Sequence, residues 1–532
     1  MNGKPYLLIR KANRSTYSRW CIAMTLAVNL TVAANSQAEV NTASVHAQSG
    51  DVSDHGAVIW GRCNDERDAR LIAHLSNSPS ADEPHTGQRV AGPLAGNATD
   101  YTGSIPVTGL KSNQRYYYRI ECRNDSEPDG AGPKSPLGTF RTAPDPNTHR
   151  PIRFVWIADV GGQGWGRNPE LGILDVENER ITGGYVIFKV IGKLDPDFAV
   201  FAGDMIYADN PIPAEKSVPG GAGAGTWNNN PSKDFTALTL DDYRANWKYN
   251  LGDAKYRRFL SRTPIYVQWD DHEVTNNWYP GEVLSFPPYH GMATNELAGR
   301  SRQALFEFNP ILGKEIFRKF RYGRHLELFL LDERSYRGAN PENANPAGID
   351  MLGEHQLAWL EDGLRKSTAT WKIISSHDPL SIVTGATNDW DAWGQGSPEV
   401  RGREIELGRL LRFIRNEAIK NVVFITADVH FAAAISYNPE LAEFKDFLPF
   451  WEFAVGPSHA GAFGPGRLDT SFGPAYEFIR APGLEGLAQN LPPPVMQSFG
   501  SMEIDQIGQL TVKIHDITGA VIYRKMITVT DY

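Results

Sequence analysis

The sequence predicts a layered α/β body preceded by a small β-sandwich, and three observations carry that prediction. From residue 151 onward, continuous apolar runs such as "IRFVWIA" and "FAVFAG" alternate with segments of helical spacing, the pattern of strands covered on both faces. Before residue 145 the runs are short and alternate apolar with polar, separated by Gly, Asn, Pro and Asp clusters, which is the pattern of a sandwich. A length of 532 residues is too great for one compact unit and fits a small and a large one.

Residues 1–38 read as a signal peptide. Lys4, Arg10, Lys11, Arg14 and Arg19 precede "CIAMTLAVNLTVAA", which is too short to span a bilayer, and "SQA" offers small residues for cleavage after Ala38. A retained anchor is the weaker alternative, because Asn29 interrupts the run. The expectation is a secreted or periplasmic protein with no transmembrane anchor in the mature chain. Residues 44–144 form the sandwich, with strands at "GAVIWGRC", "ARLIAHLS", "DYTGSIPVTGL", "RYYYRIEC" and "LGTFRTAP". Cys63 and Cys122 each lie in such a run, and in an exported chain they predict a disulfide, two buried thiols being the alternative. "PDPNTHRP" reads as the linker to the body, residues 151–532.

In the body, Ile187, Val190, Ile191 and Leu194 repeat at helical spacing between two apolar runs, a strand–helix–strand unit. The unit recurs: a helical pattern within 241–261 leads into "IYVQW", "EHQLAWLEDGL" into "WKIISS", and "IELGRLLRFIRNEAI" into "VVFITA". "QLTVKIHDITGAVIYRKMITV" predicts a closing hairpin with Thr-Gly in its turn. "VGGQGWG" fits neither a dinucleotide fingerprint, since Arg167 replaces the last glycine, nor a P-loop. "PGGAGAGTWNNN" has no periodicity and reads as a mobile loop. A net charge of −9 offers no basic surface for nucleic acid, so an anionic substrate has to be met by local cations.

Each buried strand of the body ends in a candidate metal ligand: Asp159; Asp204 and Tyr207; Asp271 and His272; His377; Asp428 and His430. Sites in open α/β sheets form beyond the carboxyl ends of strands, so these side chains are expected to converge. Several aspartates meeting without compensation would cost several kcal/mol, and the constellation makes sense only around cations. Carboxylate, phenolate and imidazole suit hard or borderline ions, and the body contains no cysteine for a thiolate zinc site. A bridging carboxylate holds two ions about 3.5–4 Å apart, the arrangement for in-line displacement at phosphorus.

In this order, Asp159, Gly203-Asp204-x-x-Tyr207, Asp271-His272-Glu273, His377 and Asp428-x-His430 resemble the calcineurin-like metallophosphoesterase superfamily. Within it, "GDMIYAD", "WDDHEVTNNW", "LDERSYRG", "ADVHFA" and "WEFAVGPSHAGAFGP" resemble the PhoD-like alkaline phosphatase/phosphodiesterase family, over nearly all of the mature chain. The sandwich segment "VTGLKSNQRYYYRIEC" resembles a fibronectin type III-like module. The resemblance implies an α+β/α/β architecture: a fibronectin III-like β-sandwich followed by a metallophosphoesterase α/β/β/α sandwich.

It also implies a ligand set. Asp159, Asp204, Tyr207 and His430 would hold one metal, Asp204, Asp271, His377 and Asp428 the other, with Asp204 bridging. The phenolate of Tyr207 favours iron. Asp271 replaces the superfamily's asparagine and Asp428 a histidine, which favours calcium, manganese or magnesium in the second site, with zinc also possible. Two departures stand out: Gly161 fills the position of a usual histidine, and Val160 that of a cysteine found in some relatives.

A bridging hydroxide on this two-metal centre would attack phosphorus. His272 would steady the phosphoryl oxygens or protonate the departing oxygen, Arg334 would clamp a phosphate oxygen, with Arg337 the lesser candidate, and Glu273 would support the site. The expectation is an exported, monomeric phosphoester hydrolase, an alkaline phosphatase or phosphodiesterase acting on a small-molecule or polymer substrate. Loops 163–182, 209–240, 279–296 and 384–400 are candidates for a lid. The alternatives are a cell-envelope binding protein with a relic metal site, and a two-metal hydrolase acting on an amide or lactone. Residue by residue, the plainer readings are helix caps at Asp159 and Asp204, packing at Tyr207, a turn at His377, and an ion pair of Arg334 with Asp332 or Glu333.

Overall fold

The computed structural model describes residues 44–79, 87–124, 126–128, 130–220 and 224–529; the expected signal peptide lies outside them. The sandwich strands are β1 (Val45–Gly50), β2 (Gly56–Cys63), β3 (Ala69–Ser76), β4 (Gln88–Ala95), β5 (Thr102–Thr108), β6 (Arg115–Arg123) and β7 (Gly138–Arg141). β1, β2 and β5 pack against the sheet β4-β3-β6-β7 through Val45, Ile59, Ile105 and Val107 on one side and Leu71, Tyr118, Ile120 and Phe140 on the other. A disulfide joins Cys63 at the end of β2 to Cys122 in β6, tying the two layers together.

The body begins with β8 (Ile152–Ile157), the hairpin β9 (Gly172–Leu174) and β10 (Arg180–Thr182), α1 (Val186–Lys193) and β11 (Phe198–Ala202). Next come the hairpin β12 (Glu215–Ser217) and β13 (Thr226–Asn228), α2 (Leu240–Leu251), α3 (Ala254–Arg262), β14 (Ile265–Gln268) and α4 (Thr294–Phe308). The second half holds β15 (Arg318–Tyr322), β16 (Leu326–Leu330), α5 (Gly353–Lys366), β17 (Trp371–Ser375), the small hairpin β18 (Gly385–Ala386) and β19 (Asp389–Trp390), α6 (Glu404–Asn416) and β20 (Val422–Thr426). It closes with β21 (Ala432–Tyr437), β22 (Phe450–Ala454), β23 (Pro474–Arg480), β24 (Ser498–Ile504), β25 (Leu510–Asp516) and β26 (Val521–Ile527).

Two sheets lie face to face. One runs β26-β25-β24-β8-β11-β14-β1-β2-β5 and the other β15-β16-β17-β20-β22-β21-β23. Phe154, Trp156, Val200 and Tyr266 of the first meet Leu328, Ile373, Val423 and Phe453 of the second. The intervening Val155, Ile157, Ala199 and Phe201 point the other way, under α1 and α3. This period of two explains why β8 and β11 read as unbroken apolar runs: both faces are buried. α5 and α6 cover the second sheet, with Leu357, Leu360, Leu407 and Leu411 inward. The α/β/β/α order is that expected from the sequence.

Local chemistry sets the helix starts. Thr239 forms a reciprocal capping box with Asp242 at α2, and Asp253 accepts the backbone N–H groups of Lys255 and Tyr256 at α3. The expected closing hairpin is β25–β26, with Leu510 opposite Ile527. The glycine-rich stretch read as a mobile loop is in part ordered pairing: Thr226–Asn228 forms β13 against β12, and Asn229 is buried.

The sandwich continues the body's first sheet. β1 lies parallel to β14, with Gly50 opposite Ile265, and a Cβ at Gly50 would stand 2.4 Å from the Ile265 carbonyl oxygen. Only glycine permits that approach. Among the described residues, no helix is long and apolar enough to cross a membrane.

Candidate metal centre

The parallel strands β8, β11 and β14 of one sheet, and β17 and β20 of the other, deliver Asp159, Asp204, Asp270–His272, His377–Asp378 and Asp428 directly after their last residues. Asp159, Asp204, Asp428 and His430 all have left-handed backbone, with φ of 59°, 53°, 64° and 59°. Non-glycine residues seldom adopt it, and such strain clusters where side chains are held for function. Gly203 (φ 93°) lets the chain turn so close to β14 that a Cβ there would stand 2.5 Å from that of Asp270.

Glu273 joins these strand ends. Its carboxylate accepts the backbone N–H groups of Asp204 (2.9 Å), Met205 (2.8 Å), Ile206 (3.2 Å) and Asp270 (2.8 Å). Burial pushes its pKa up to about 7. The supporting role expected from the sequence is the geometry observed.

Ligand atoms of Asp159, Asp204 and His430 lie within 4.8 Å of one another, as do those of Asp204, Asp271 and His272. Asp204 is common to both groups. The Tyr207 hydroxyl lies 3.0 Å from His430 Nε2 and 3.4 Å from Asp159 Oδ1. His430 Nδ1 donates to the Gly461 carbonyl at 2.6 Å, which leaves Nε2 as the lone-pair nitrogen facing Tyr207 and Asp159. That backbone bond fixes the tautomer a metal ligand requires. Burial lowers the His430 pKa to about 4, keeping the ring neutral.

The second cluster differs from expectation. Asp270, not singled out in the sequence, lies within reach of Asp271 and Asp428, and separately of His377 and Asp378. His377 does not join the Asp204–Asp271 group: its Nδ1 faces Asp270 Oδ1 at 3.1 Å, and its Nε2 lies 3.2 Å from the backbone N–H of Glu333. Both ring nitrogens therefore have protein neighbours. Burial opposes its charge, but Asp270, Glu333 and Asp378 outweigh it and raise the pKa to about 9.

Arg334 corrects a second expectation. Its guanidinium is fully buried and donates to Asp270 (2.7 Å), Asp378 (3.3 Å) and both oxygens of Asp391 (2.8 and 2.7 Å). Four of its five N–H donors are taken by three carboxylates, and none of the side chain is exposed to meet a substrate phosphate. Its partners are neither Asp332 nor Glu333. Arg337 is engaged in the same way, by Asp378, Asp391 and the Glu333 carbonyl. The only sequence signal for Asp270 was its place beside Asp271 in "WDDHE"; Asp378 adjoined a candidate histidine, and Asp391 had no signal at all.

His272, the acid expected from the sequence, lies with Asp204 and Asp271. Its Nδ1 pairs with Asp209 at 2.7 Å, its ring lies 4.2 Å from that of Tyr207, tilted by 31°, and its backbone N–H donates to Asp204 Oδ1 at 3.1 Å. Burial opposes its charge, yet Asp209 and Asp271 raise the pKa to about 9. Asp209, the partner of His272, is a residue the sequence reading passed over.

A cavity of about 400 Å³ opens over Asp271, His272, Asp428 and His430. One wall carries amides, Asn210 and Asn277 among them; the other is apolar, with Ile382, Phe431 and Phe463. Three of the four expected lid loops border it, through Gln163, Asn210 and Thr384, while 279–296 does not and 463–466 does.

Buried carboxylates need partners, and several here have none in the protein. Asp159 Oδ2, Asp204 Oδ2 and Asp270 Oδ2 are buried without a hydrogen-bond partner. Burial, together with the neighbouring aspartates, pushes the Asp159, Asp204 and Asp428 carboxyls well above the usual range. Orphaned oxygens, mutual repulsion and a tautomer-fixed histidine are the features a bound cation would resolve, so the residues present fit metal ions.

The family model for the PhoD-like phosphatase matches residues 154–511, and that for the PhoD-like phosphatase N-terminal domain matches residues 29–144. The chain belongs to the PhoD-like phosphatase family. It is 26% identical over 351 residues to an alkaline phosphatase D of Bacillus subtilis (strain 168), a match covering 61% of this chain and 52% of that protein. The match thus spans about half the length of the curated relative. Among solved structures, that of PhoD superposes with a TM-score of 0.66 at 19% identity, covering 91% of this chain and 88% of that one. A purple acid phosphatase, PPD1 from yellow lupin (Lupinus luteus) seeds, superposes with a TM-score of 0.55 at 13% identity, covering 91% and 74%. At these identities the two likenesses establish the shared fold, and the PhoD-like body is the part that carries the acidic strand ends.

Proposed function

We propose that this PhoD-like chain is an exported, metal-dependent phosphoester hydrolase, acting as an alkaline phosphatase or a phosphodiesterase. The observation that carries the reading is the set of orphaned, buried carboxylate oxygens gathered with His430 Nε2 and Tyr207 beneath an open cavity that His272 borders. Asp159, Asp204, Tyr207 and His430 would hold one ion, with iron expected beside the phenolate. Asp204, Asp271 and Asp428 would hold the other, with Asp270 within reach of it, an oxygen-rich set that favours calcium, manganese or magnesium. Such ions supply Lewis acidity at phosphorus and an acidified water as nucleophile.

The chain's own residues supply the rest. Asp209 holds the His272 imidazole in its charged form, so its proton is available to the oxygen that leaves phosphorus. Asn210 and Asn277 offer amide donors in place of the arginine clamp, and Ile382, Phe431 and Phe463 can shelter an apolar portion of the ester. The Cys63–Cys122 disulfide supports an oxidising compartment, secreted or periplasmic.

Elemental analysis of the purified protein, with hydrolysis of p-nitrophenyl phosphate and bis-p-nitrophenyl phosphate, tests the reading. Two metal equivalents with turnover, both lost in Asp204→Asn, would establish a two-metal phosphoesterase, and the ratio of the two rates would choose the subclass. Absence of turnover after loading with iron, calcium, manganese or zinc would point to a binding protein.

A further inference from the structure

A cleft of about 370 Å³ lies at the other end of the same sheet, where the sandwich, the linker and the body meet. Pro151–Ile152, Asp197 and Pro264 line it, and these residues open β8, β11 and β14. The catalytic aspartates stand at the far ends of those strands, about 20 Å away at roughly 3.3 Å per residue. The cleft is therefore separate from the metal centre.

Five arginines line it: Arg115, Arg141, Arg150, Arg153 and Arg262, against four carboxylates. The carboxylates are already engaged. Asp197 pairs with Arg150 at 2.5 Å, Glu503 with Arg153 at 3.1 Å and Lys513 at 2.8 Å, and Asp195 with Arg115 at 3.7 Å. Asp505 accepts the backbone N–H groups of Ile507 and Gln509, both at 2.9 Å. Arg141 and Arg262 are left without a carboxylate ion pair among the described residues; Arg141 donates only to the Asn113 carbonyl, at 2.9 Å. Two further guanidinium nitrogens, Arg141 Nε and Arg150 Nη1, are buried without a partner. Burial lowers the pKa of Arg141, and the charges of Arg150 and Arg115 lower it further, against a smaller opposing effect of Asp197 and Asp195. In a chain of net charge −9, this is a concave surface with unsatisfied guanidinium donors, the group best matched to phosphate oxygens.

We infer that this cleft is a non-catalytic binding site for a phosphoryl oxyanion, held by Arg141 and Arg262. The oxyanion is either free inorganic phosphate or a phosphate group within a polymer; the volume admits a phosphate with organic substituents attached. Occupancy neutralises the charges that the sandwich, through Arg141, and the body, through Arg262, bring together.

The test is calorimetric titration of inorganic phosphate, and separately of linear polyphosphate, into the metal-loaded protein, Asp204→Asn, and the double variant Arg141→Gln/Arg262→Gln. Binding does not depend on turnover, so the experiment stands if the hydrolase reading fails. The expected result is a binding event that persists in Asp204→Asn and weakens about tenfold or more in the double variant, the loss that follows from removing charged hydrogen bonds. Response to phosphate assigns the free ion, and response to polyphosphate alone assigns the polymer. If the double variant is unstable to heating, the single variant Arg262→Gln on the exposed wall is read in its place. The inference is overturned if the arginine variants bind both probes as the unaltered protein does, or if Asp204→Asn abolishes all binding.

Discussion

Asp391 accepts both terminal nitrogens of Arg334, at 2.8 and 2.7 Å, where neither side chain meets solvent. Asp391 directly follows the short hairpin β18–β19, so a surface loop is fastened to the layer behind the acidic strand ends. Removing one member of a buried pair leaves the other uncompensated. Asp391→Ala is expected to lower unfolding free energy by about 3–5 kcal/mol, read from urea denaturation. A variant as stable as the parent would show that Asp270 and Asp378 compensate the buried arginines without it.

His272 is the residue through which acid catalysis would act. His272→Asn should reduce kcat by about 10²–10⁴ with metal content unchanged, the usual range for loss of a general acid. In Asp209→Asn the imidazolium loses its anionic neighbour and its pKa falls. The alkaline limb of the rate profile, where the acid is deprotonated, should then move to lower pH. Rate profiles of both variants from pH 6 to about 10 check this. An unmoved limb would assign it to another group.

Chelation should expose the repulsion in the centre. The Asp159, Asp204 and Asp428 carboxyls are raised above their unfolded values, so without metal their contribution to stability is present at low pH and is lost as pH rises through the raised values. The gap in Tm between chelated and metal-loaded protein should therefore widen as pH rises above the ordinary carboxylate range. A ligand at a hundred times its Kd stabilises the folded state by about 2.7 kcal/mol per site. A gap independent of pH would mean that the aspartates are not the metal-linked groups.

The disulfide closes a separation of 59 residues inside the sandwich. Its reduction, or Cys63→Ala with Cys122→Ala, should cost about 2–4 kcal/mol of stability. Phosphoesterase activity at 25 °C should persist, since neither cysteine lies near the strand ends that form the site. Thermal unfolding beside an activity assay distinguishes this from a loss confined to the site.

The strand ends were legible because burial on both faces leaves a continuous apolar run, and the first acidic residues after it stand out as Asp159, Asp204 and Asp428; after β14 two aspartates follow, and only Asp271 was singled out. Tyr207 and His430 were legible by their short spacing from these aspartates. The partners of Arg334 were not, because Asp270, Asp378 and Asp391 lie 64, 44 and 57 positions away along the chain. Only the folded backbone brings them together. The displacement of His377 toward Asp270 is of the same kind: sequence order indicated that a histidine ends the strand, but the direction of its ring depends on which carboxylates Glu333 and Arg334 leave in front of it.

The contact between Gly50 and Ile265 bears on how this architecture can be divided. A body expressed from residue 151 would lose the Gly50–Ile265 pairing and bare the start of β14's edge, a template for association between copies. The amino-terminal module is thus less a removable cassette than a built-in cover. Recombination that exchanged it for an unrelated domain would have to supply another strand ending in a residue without a side chain at that position.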